Sequence, residues 1–428
     1  MSKKAIQKRT YYEIHVSLIS PLNISNGVSA ETDADVIRNS LEEFFVPGTS
    51  LAGAFRNYIG DDKKTASIFV FSTGEEGRMS SVYVSDLYFS EDSVNVSVRD
   101  RVCLTDDKDV DNKFDLEIIE PGAKGIIAIE TIQRAGDEDM DHLIADIILA
   151  AADGDIRLGA NKNRGFGKIQ VDDVSKTVFM KEDLSKWLDF MDGKPDTRET
   201  AVPFTDWAKG KKRLKERYIK RRIPLKLTGG ISIRRYSTRP GNADYEHITS
   251  NGKPVIPGTS WTGAVRADAR RILKDLAVDK LIIDFLIDTW FGKVKDKRAP
   301  ESEDDSHQSS IVIAESVIEG AKMLPLTRNN INRFTAGTKG EALYTELSCI
   351  GGTTVFEYMI QNNENLAPLR GMMKLIERDI CLGMIAVGGM VSVGRGIFEG
   401  ETTDADLSED ADVKALYREI RRLKNADK

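Results

Sequence analysis

Two glycine loops hold the residues best suited to chemistry. The first reads Gly159-Ala160-Asn161-Lys162-Asn163-Arg164-Gly165-Phe166-Gly167. The second reads Gly388-Gly389-Met390-Val391-Ser392-Val393-Gly394-Arg395-Gly396. Each sets an arginine among glycines. Glycines let backbone N–H groups approach a ligand, and guanidinium pairs with phosphate, so the combination suits a phosphodiester backbone. Neither loop is a Walker A loop, because no Gly-Lys-Ser/Thr closes it. Neither is a dinucleotide fingerprint, because each follows a helical segment and enters a strand. A single such loop reads first as a demanding turn. Two copies, each with arginine, move the weight toward binding.

A second pair of blocks stands upstream of the loops. Val46-Pro47-Gly48-Thr49-Ser50-Leu51-Ala52-Gly53-Ala54-Phe55-Arg56 returns 210 positions later as Ile256-Pro257-Gly258-Thr259-Ser260-Trp261-Thr262-Gly263-Ala264-Val265-Arg266. The repeat makes the chain a tandem duplication. Pro-Gly predicts a tight turn out of a strand, and Thr-Ser offers caps for the helix that follows. Such a helix start attracts phosphate. Gly53 and Gly263 permit close approach by another backbone. Arg56 and Arg266 follow on the same helical side.

These features sit on a regular order of elements. The stretch 11–20 alternates with period two and reads as a half-buried strand. A polar loop over 28–39 carries Glu31, Asp33 and Asp35 before the first Pro-Gly block. Further strands are expected over 81–89 and 125–130, with an amphipathic helix over 137–152 between them and the glycine loop. Residues 94–118 read as irregular, extended and charged. The second copy repeats this order, with strands near 311–316 and 353–360 and a helix over about 365–385. Residues 298–310 form a low-complexity acidic insert expected to be disordered. The sum is β-α-β-β-α-β twice: an α+β chain of two tandem ferredoxin-like domains. The expected division is a first domain over 10–175, a basic connector over 176–221, a second domain over 222–402 and a charged C-terminal tail over 403–428.

Charge narrows the function. The chain of 428 residues has net charge -7, yet Lys209 to Arg222 holds nine basic residues and one acidic residue. That segment carries +8 and leaves -15 elsewhere. It reads equally as a solvated helical linker and as a phosphate-contacting arm. The three cysteines and four histidines show no disulfide or metal-ligand spacing. Apolar runs are too short to span a bilayer, and the N-terminus lacks a signal-peptide core. A reducing cytoplasm is the expected compartment.

The paired blocks, the glycine loop Leu158 to Lys168 and the run Leu116 to Gly122 together resemble the RAMP superfamily of CRISPR-associated proteins. The likeness is to backbone subunits of the Cas-seven type from type III effector complexes, here fused as a double subunit in a III-D-like arrangement. It covers roughly 10–175 and 222–402. The resemblance implies a ferredoxin-like, RRM-related palm with a thumb insertion in each domain. It implies CRISPR RNA, target RNA and other CRISPR-associated subunits as partners. Cleaving members cut target RNA through an aspartate in the loop before the Pro-Gly block. That cut is metal-dependent, with Mg2+ as the expected ion and the RNA 2′-OH as nucleophile. Asp33-Ala34-Asp35-Val36-Ile37-Arg38-Asn39 looks like the family's run, with Asp33 at the catalytic, metal-holding position and Asp35 where the family has proline. Both acids stay candidates, and Asp244 is the best match in the second domain. Ser50, Arg56, Lys162, Arg164, Ser260, Arg266 and Arg395 are implied RNA contacts, though each arginine could pair with a nearby acid. Arg333 and Phe334 fall in the second thumb and are candidate wedges for a displaced nucleotide. Trp261 reads as core or as a stacking platform. Two alternatives remain: a scaffold that binds guide RNA without cutting, and an endoribonuclease that matures precursor CRISPR RNA through His15 or His247.

Overall fold

The computed structural model describes the chain except residues 1–4, 26, 28–31, 61–67, 70, 74–75, 79, 105–109, 195–196, 237–242, 294–304, 330, 339–342, 403–405 and 427–428. Residues 298–304 of the expected acidic insert therefore lie outside the described residues. The chain divides into two compact units. One comprises Met1–Lys162 and Phe166–Glu216, the other Arg217–Lys428 and Asn163–Gly165.

The first unit is built from β1 (Ile6–Leu18), α1 (Gly48–Ile59), β2 (Val82–Val84), β3 (Val96–Leu104), β4 (Val110–Ile119), β5 (Lys124–Arg134), α2 (Asp141–Asp153) and β6 (Ile169–Met180). Its sheet runs β6-β1-β5-β2, all antiparallel, with a short strand Val202–Pro203 added beyond β6. In core-strand terms that is fourth-first-third-second, the ferredoxin-like order. The period-two pattern of β1 sends Tyr12, Ile14, Val16 and Leu18 inward. They meet Leu51 and Phe55 of α1 and Ile144 and Ile148 of α2 in one core. Each such side chain contributes about 1.5–3 kcal/mol by leaving water.

The second unit repeats the plan with β7 (Tyr218–Thr228), β8 (Tyr245–His247), α3 (Gly258–Asp275), β9 (Ile311–Ile313), β10 (Lys322–Arg328), β11 (Tyr344–Ile350), β12 (Thr353–Gln361), α4 (Ala367–Cys381), β13 (Ile397–Gly400) and α5 (Ala411–Ala426). Its sheet runs β9-β12-β7-β13, the same order read backwards. Trp261 lies fully in this core, 4.8 Å from Phe356 and 5.2 Å from Phe398 between ring centroids. Its Nε1–H donates to Ser316 Oγ at 2.8 Å. The stacking role considered for it is ruled out by this burial.

Three segments differ from the sequence reading. Residues 96–104 and 110–119 are extended but not irregular: β3 and β4 form a long antiparallel pair, inserted between β2 and β5. β10 and β11 form its counterpart in the second unit. The C-terminal segment is an amphipathic helix, α5, whose Val413, Leu416 and Ile420 are buried. The basic segment forms no helix. Residues 218–222 open β7, and Arg213 packs onto α1 and α2. Its guanidinium reaches Asp153 at 2.7 Å, Asp155 at 2.6 Å and Tyr58 Oη at 3.1 Å. Arg221 pairs with Glu377 and Arg222 with Glu357. Part of the charge that made this segment resemble an RNA arm is therefore drawn into ion pairs.

Asp155 is almost fully buried beside Arg213. Removing the cation leaves that carboxylate desolvated and unpaired. Arg213→Ala is expected to lower the stability of the first unit by about 3 kcal/mol. A thermal melt within 1 °C of wild type would contradict this reading.

Candidate nucleic-acid interface

The Pro-Gly blocks owe their glycine to a close approach. A Cβ on Gly48 would stand 2.4 Å from Val84 O, and one on Gly258 would stand 2.5 Å from Ile313 O. Each helix therefore begins directly against the end of its unit's second core strand. Pro47 and Pro257 precede the helices, and no side chain caps either one. The cap role expected of Thr49-Ser50 and Thr259-Ser260 is not realised, because these residues lie inside the first turn. The Gly48 N–H instead donates to Asp86 Oδ1 at 2.6 Å. The first helix start thus already holds an anion, a carboxylate of its own chain. This corrects the expectation of a phosphate there.

The side of the helix remains open. Ser50, Gly53 and Arg56 recur every third residue, and all three are exposed. Arg56 makes no ion pair among the described residues. In the second unit Gly263 is exposed, Ser260 and Arg266 are half-buried, and the Arg266 guanidinium lies 5.9 Å from the Phe291 ring centre. Nothing lies within 4 Å of a Cβ built on Gly53 or Gly263. An exposed mid-helix glycine costs about 1 kcal/mol relative to alanine. Neither unit uses the space so left, and both keep it.

The glycine loops are also clamped internally. In the first, the Gly167 N–H donates to Pro21 O and the Ala160 N–H to Asn23 O, both at 2.8 Å. In the second, the Gly396 N–H donates to Gly230 O and the Gly389 N–H to Ser232 O, again at 2.8 Å. A Cβ on Gly167 or Gly396 would stand 1.9 Å from a carbonyl oxygen of its own loop. These glycines serve the loop's own backbone, so they carry no argument for a ligand. The apices differ. The first presents Lys162, exposed, and Arg164, half-buried; the second exposes Val391 and Val393, with Arg395 half-buried against Gly230.

The acidic loop is laced to β4. The Asp33 N–H donates to Asp115 Oδ1 at 2.9 Å, and the Asp115 N–H donates back to Asp33 Oδ2 at 3.0 Å. The Val36 N–H donates to Glu117 Oε2 at 2.8 Å, and Arg38 reaches Glu117 Oε1 at 2.7 Å. Asp33 is exposed, and its Oδ1 meets no protein partner among the described residues. Asp35 is half-buried and turned back on its own loop, accepting the Thr32 N–H at 2.9 Å and the Thr32 hydroxyl at 2.6 Å. The structure thus gives the two acids different positions. In the second unit Asp244 Oδ2 accepts the Thr345 N–H at 2.7 Å, and β8 runs parallel to β11 beside it. Asp244 stands to Thr345 as Asp33 stands to Asp115. Only the first unit has a second carboxylate at this place. Sequence reading missed Asp115 because it lies in the stretch taken as irregular; alternation over 114–119 was the available signal.

Among the described residues, no three His, Cys, Asp or Glu side chains are placed to hold a metal. Asp33 and Asp115 offer two carboxylates. That is a fitting number for Mg2+, which takes one or two carboxylates together with substrate phosphates and water.

The second thumb ends in a turn built on Asn332. Its Oδ1 accepts the Phe334 N–H at 2.9 Å, and Phe334 is 99% exposed. Arg333 beside it is exposed as well. The histidines are placed less favourably for catalysis. His15 sits mid-strand in β1. His247 is buried, its Nδ1 accepting the Ile233 N–H at 3.1 Å and its Nε2–H donating to Val255 O at 3.0 Å. Burial pushes its pKa down to about 4.

Two tandem ferredoxin-like units, each with a hairpin insertion and an acid laced to that hairpin, define a repeated RRM-related architecture. The model of the RAMP superfamily matches residues 15–170 and again 180–399, and the chain belongs to that superfamily. Membership carries a CRISPR-associated, RNA-binding role, with CRISPR RNA and other CRISPR-associated subunits as the kind of partner. No curated protein matches the chain. Among the described residues, no helix is long and apolar enough to cross a membrane.

Two expectations follow. Gly53→Ala should leave the fold intact or raise its stability by up to about 1 kcal/mol. If the open helix side receives a nucleic-acid backbone, the same change weakens RNA binding; unchanged binding in a filter assay would contradict that use. For His247, the unfolded state takes up a proton below pH 6.5 while the folded state resists until about pH 4. Stability of the second unit is then present above pH 6.5 and lost as pH falls toward 4, by roughly 3 kcal/mol in all. An NMR titration placing the His247 midpoint near 6.5 would overturn this.

Proposed function

We propose that the chain is a double backbone subunit of a type III effector complex, of the III-D-like kind. In this reading it holds a guide–target RNA duplex along both units and cleaves target RNA in the first. The carrying observation is Asp33, held by β4 through a reciprocal pair of hydrogen bonds with one carboxylate oxygen left open. The equivalent attachment of Asp244 to Thr345 supports a related site in the second unit.

The chemistry follows from what these side chains can do. Asp33 orients the RNA 2′-OH and accepts its proton at Oδ1. The 2′-oxygen then bonds to the adjacent phosphorus, and the bond to the 5′-oxygen breaks. Asp115 fixes the Asp33 backbone and side chain. Mg2+, held by Asp33 and Asp115 with RNA phosphate, would supply charge stabilisation when bound. Ser50, Arg56, Lys162 and Arg164 of the first sequence repeat, and Ser260, Arg266 and Arg395 of the second, line the RNA path. Arg333 and Phe334 project from the second thumb as a wedge beside a displaced nucleotide. The complex would act in the cytoplasm.

A second reading, a scaffold that does not cut, is favoured for the second unit alone, because Thr345 stands where the first unit has Asp115. Maturation of precursor CRISPR RNA finds little support: His247 has both ring nitrogens engaged, and His15 lies within a strand.

The chain, assembled with guide RNA, complementary RNA and Mg2+, is expected to cut the target at defined positions. Asp33→Ala should remove one product with a loss of about 100-fold or more in rate. Asp244→Ala should change cleavage less. Full cleavage in both variants would sink the catalytic assignment and leave the binding role standing.

A further inference from the structure

Beneath the second thumb lies a charge arrangement that neither repeat nor motif announced. Glu346, on β11, is 0% exposed. Two arginines converge on it from different elements. Arg234 approaches both carboxylate oxygens at 3.4 Å, and Arg328 of β10 reaches Oε2 at 4.0 Å. Both guanidiniums also touch Met390 Sδ, at 2.8 and 3.4 Å. Arg234 lies over the Tyr245 ring, 4.9 Å from its centre.

The balance of this cluster does not close. Two guanidiniums carry ten N–H donors and two positive charges. One carboxylate, met at long distances, answers one charge and a minority of the donors. The arginines stay partly open to solvent, at 34% and 27% exposure, while the acid is sealed below. Burying a carboxylate is costly, and a buried ion pair is weak evidence for stability as such. What the buried acid does achieve is convergence: it draws two partly exposed guanidiniums together over one carboxylate. The place is telling. Tyr245 and Glu346 are register partners, each one residue along its chain from Asp244 and Thr345.

We propose that Arg234 and Arg328, held by Glu346, form a clamp for an RNA phosphodiester group in the second unit. The proposal rests on the reading that this unit holds RNA. Guanidinium forks match the oxygens of a phosphodiester, and Tyr245 backs Arg234 against reorientation. The clamp gives the second unit a holding function.

The test compares the full-length chain with the triple variant Arg234→Gln, Arg328→Gln, Glu346→Gln, which removes the buried charge together with its partners. A labelled single-stranded RNA is titrated at several salt concentrations. The expected result is a melting temperature near wild type, an affinity lower by about 10-fold, and a salt slope shallower by about 0.7 to 1.4, one to two phosphate contacts. Wild-type affinity and slope in a folded triple variant would overturn the clamp. Should the triple variant misfold, Arg328→Gln alone is read the same way, expecting a slope shallower by about 0.7; an unchanged slope overturns the clamp. Two further arms separate other ligands. Inorganic phosphate or a polyglutamate peptide binding wild type but not the variant, with RNA binding unchanged, would also overturn it. The parent reading fails separately: a wild-type chain that binds no RNA ends both, whereas binding weakened by Arg56→Gln but not by the triple change ends only the clamp.

Discussion

The structure turns on a carboxylate accepting a backbone N–H from a strand of each hairpin. Asp33 does this to Asp115 and Asp244 does it to Thr345. In the first unit this bond joins those of Val36 and Arg38 to Glu117 in tying the loop between the first strand and the first helix to β4. Bonded across to the hairpin strand, it becomes part of the palm. The acid then occupies a defined position between the helix that follows it and the thumb inserted beside it. Bonds of this charged kind are roughly twice as strong as neutral ones. They position the acid and still leave oxygens for other work.

Around that point the two units share backbone geometry and differ in side chains. Both helix starts press against the second core strand, both glycine loops use the same hydrogen-bond pattern, and both sheets have one strand order. The first unit adds Asp115 and a Lys-Asn-Arg apex. The second has Thr345, a Val-Ser-Val apex and the buried Glu346 with its two arginines. A duplicated scaffold kept for one geometry has been filled with two chemistries. Asp115 sets a second carboxylate beside Asp33, while in the second unit two arginines gather on Glu346.

Much of this was legible in the sequence, and the failures share a cause. The duplication, the strand order and the α+β class follow from repeats and period-two alternation, which are local signals. Asp33 and Asp244 follow from position relative to the Pro-Gly blocks. At three further places a partner distant in sequence supplies contacts that no local signal shows. The glycine loops suggested a ligand, but their glycines answer carbonyls of the loop itself and clasp the end of the first strand. The helix start suggested phosphate, but Asp86 arrives from 38 residues away. The basic segment read equally as a helical linker and as an RNA arm, and Arg213 meets acids at the end of α2 roughly sixty positions earlier. The charged C-terminal segment likewise hid an apolar stripe that only a partner helix makes meaningful.

The central claim is that Asp33 is held for chemistry by Asp115, and that the second unit lacks this support. Mapping the new 5′ ends of a cleaved complementary RNA tests it most directly, comparing wild type with Asp115→Thr. That substitution gives the first unit the residue found in the second. The account predicts that the product lost in Asp33→Ala falls by about 10-fold or more in Asp115→Thr, while guide-RNA binding is kept. Equal yields at every position would contradict it.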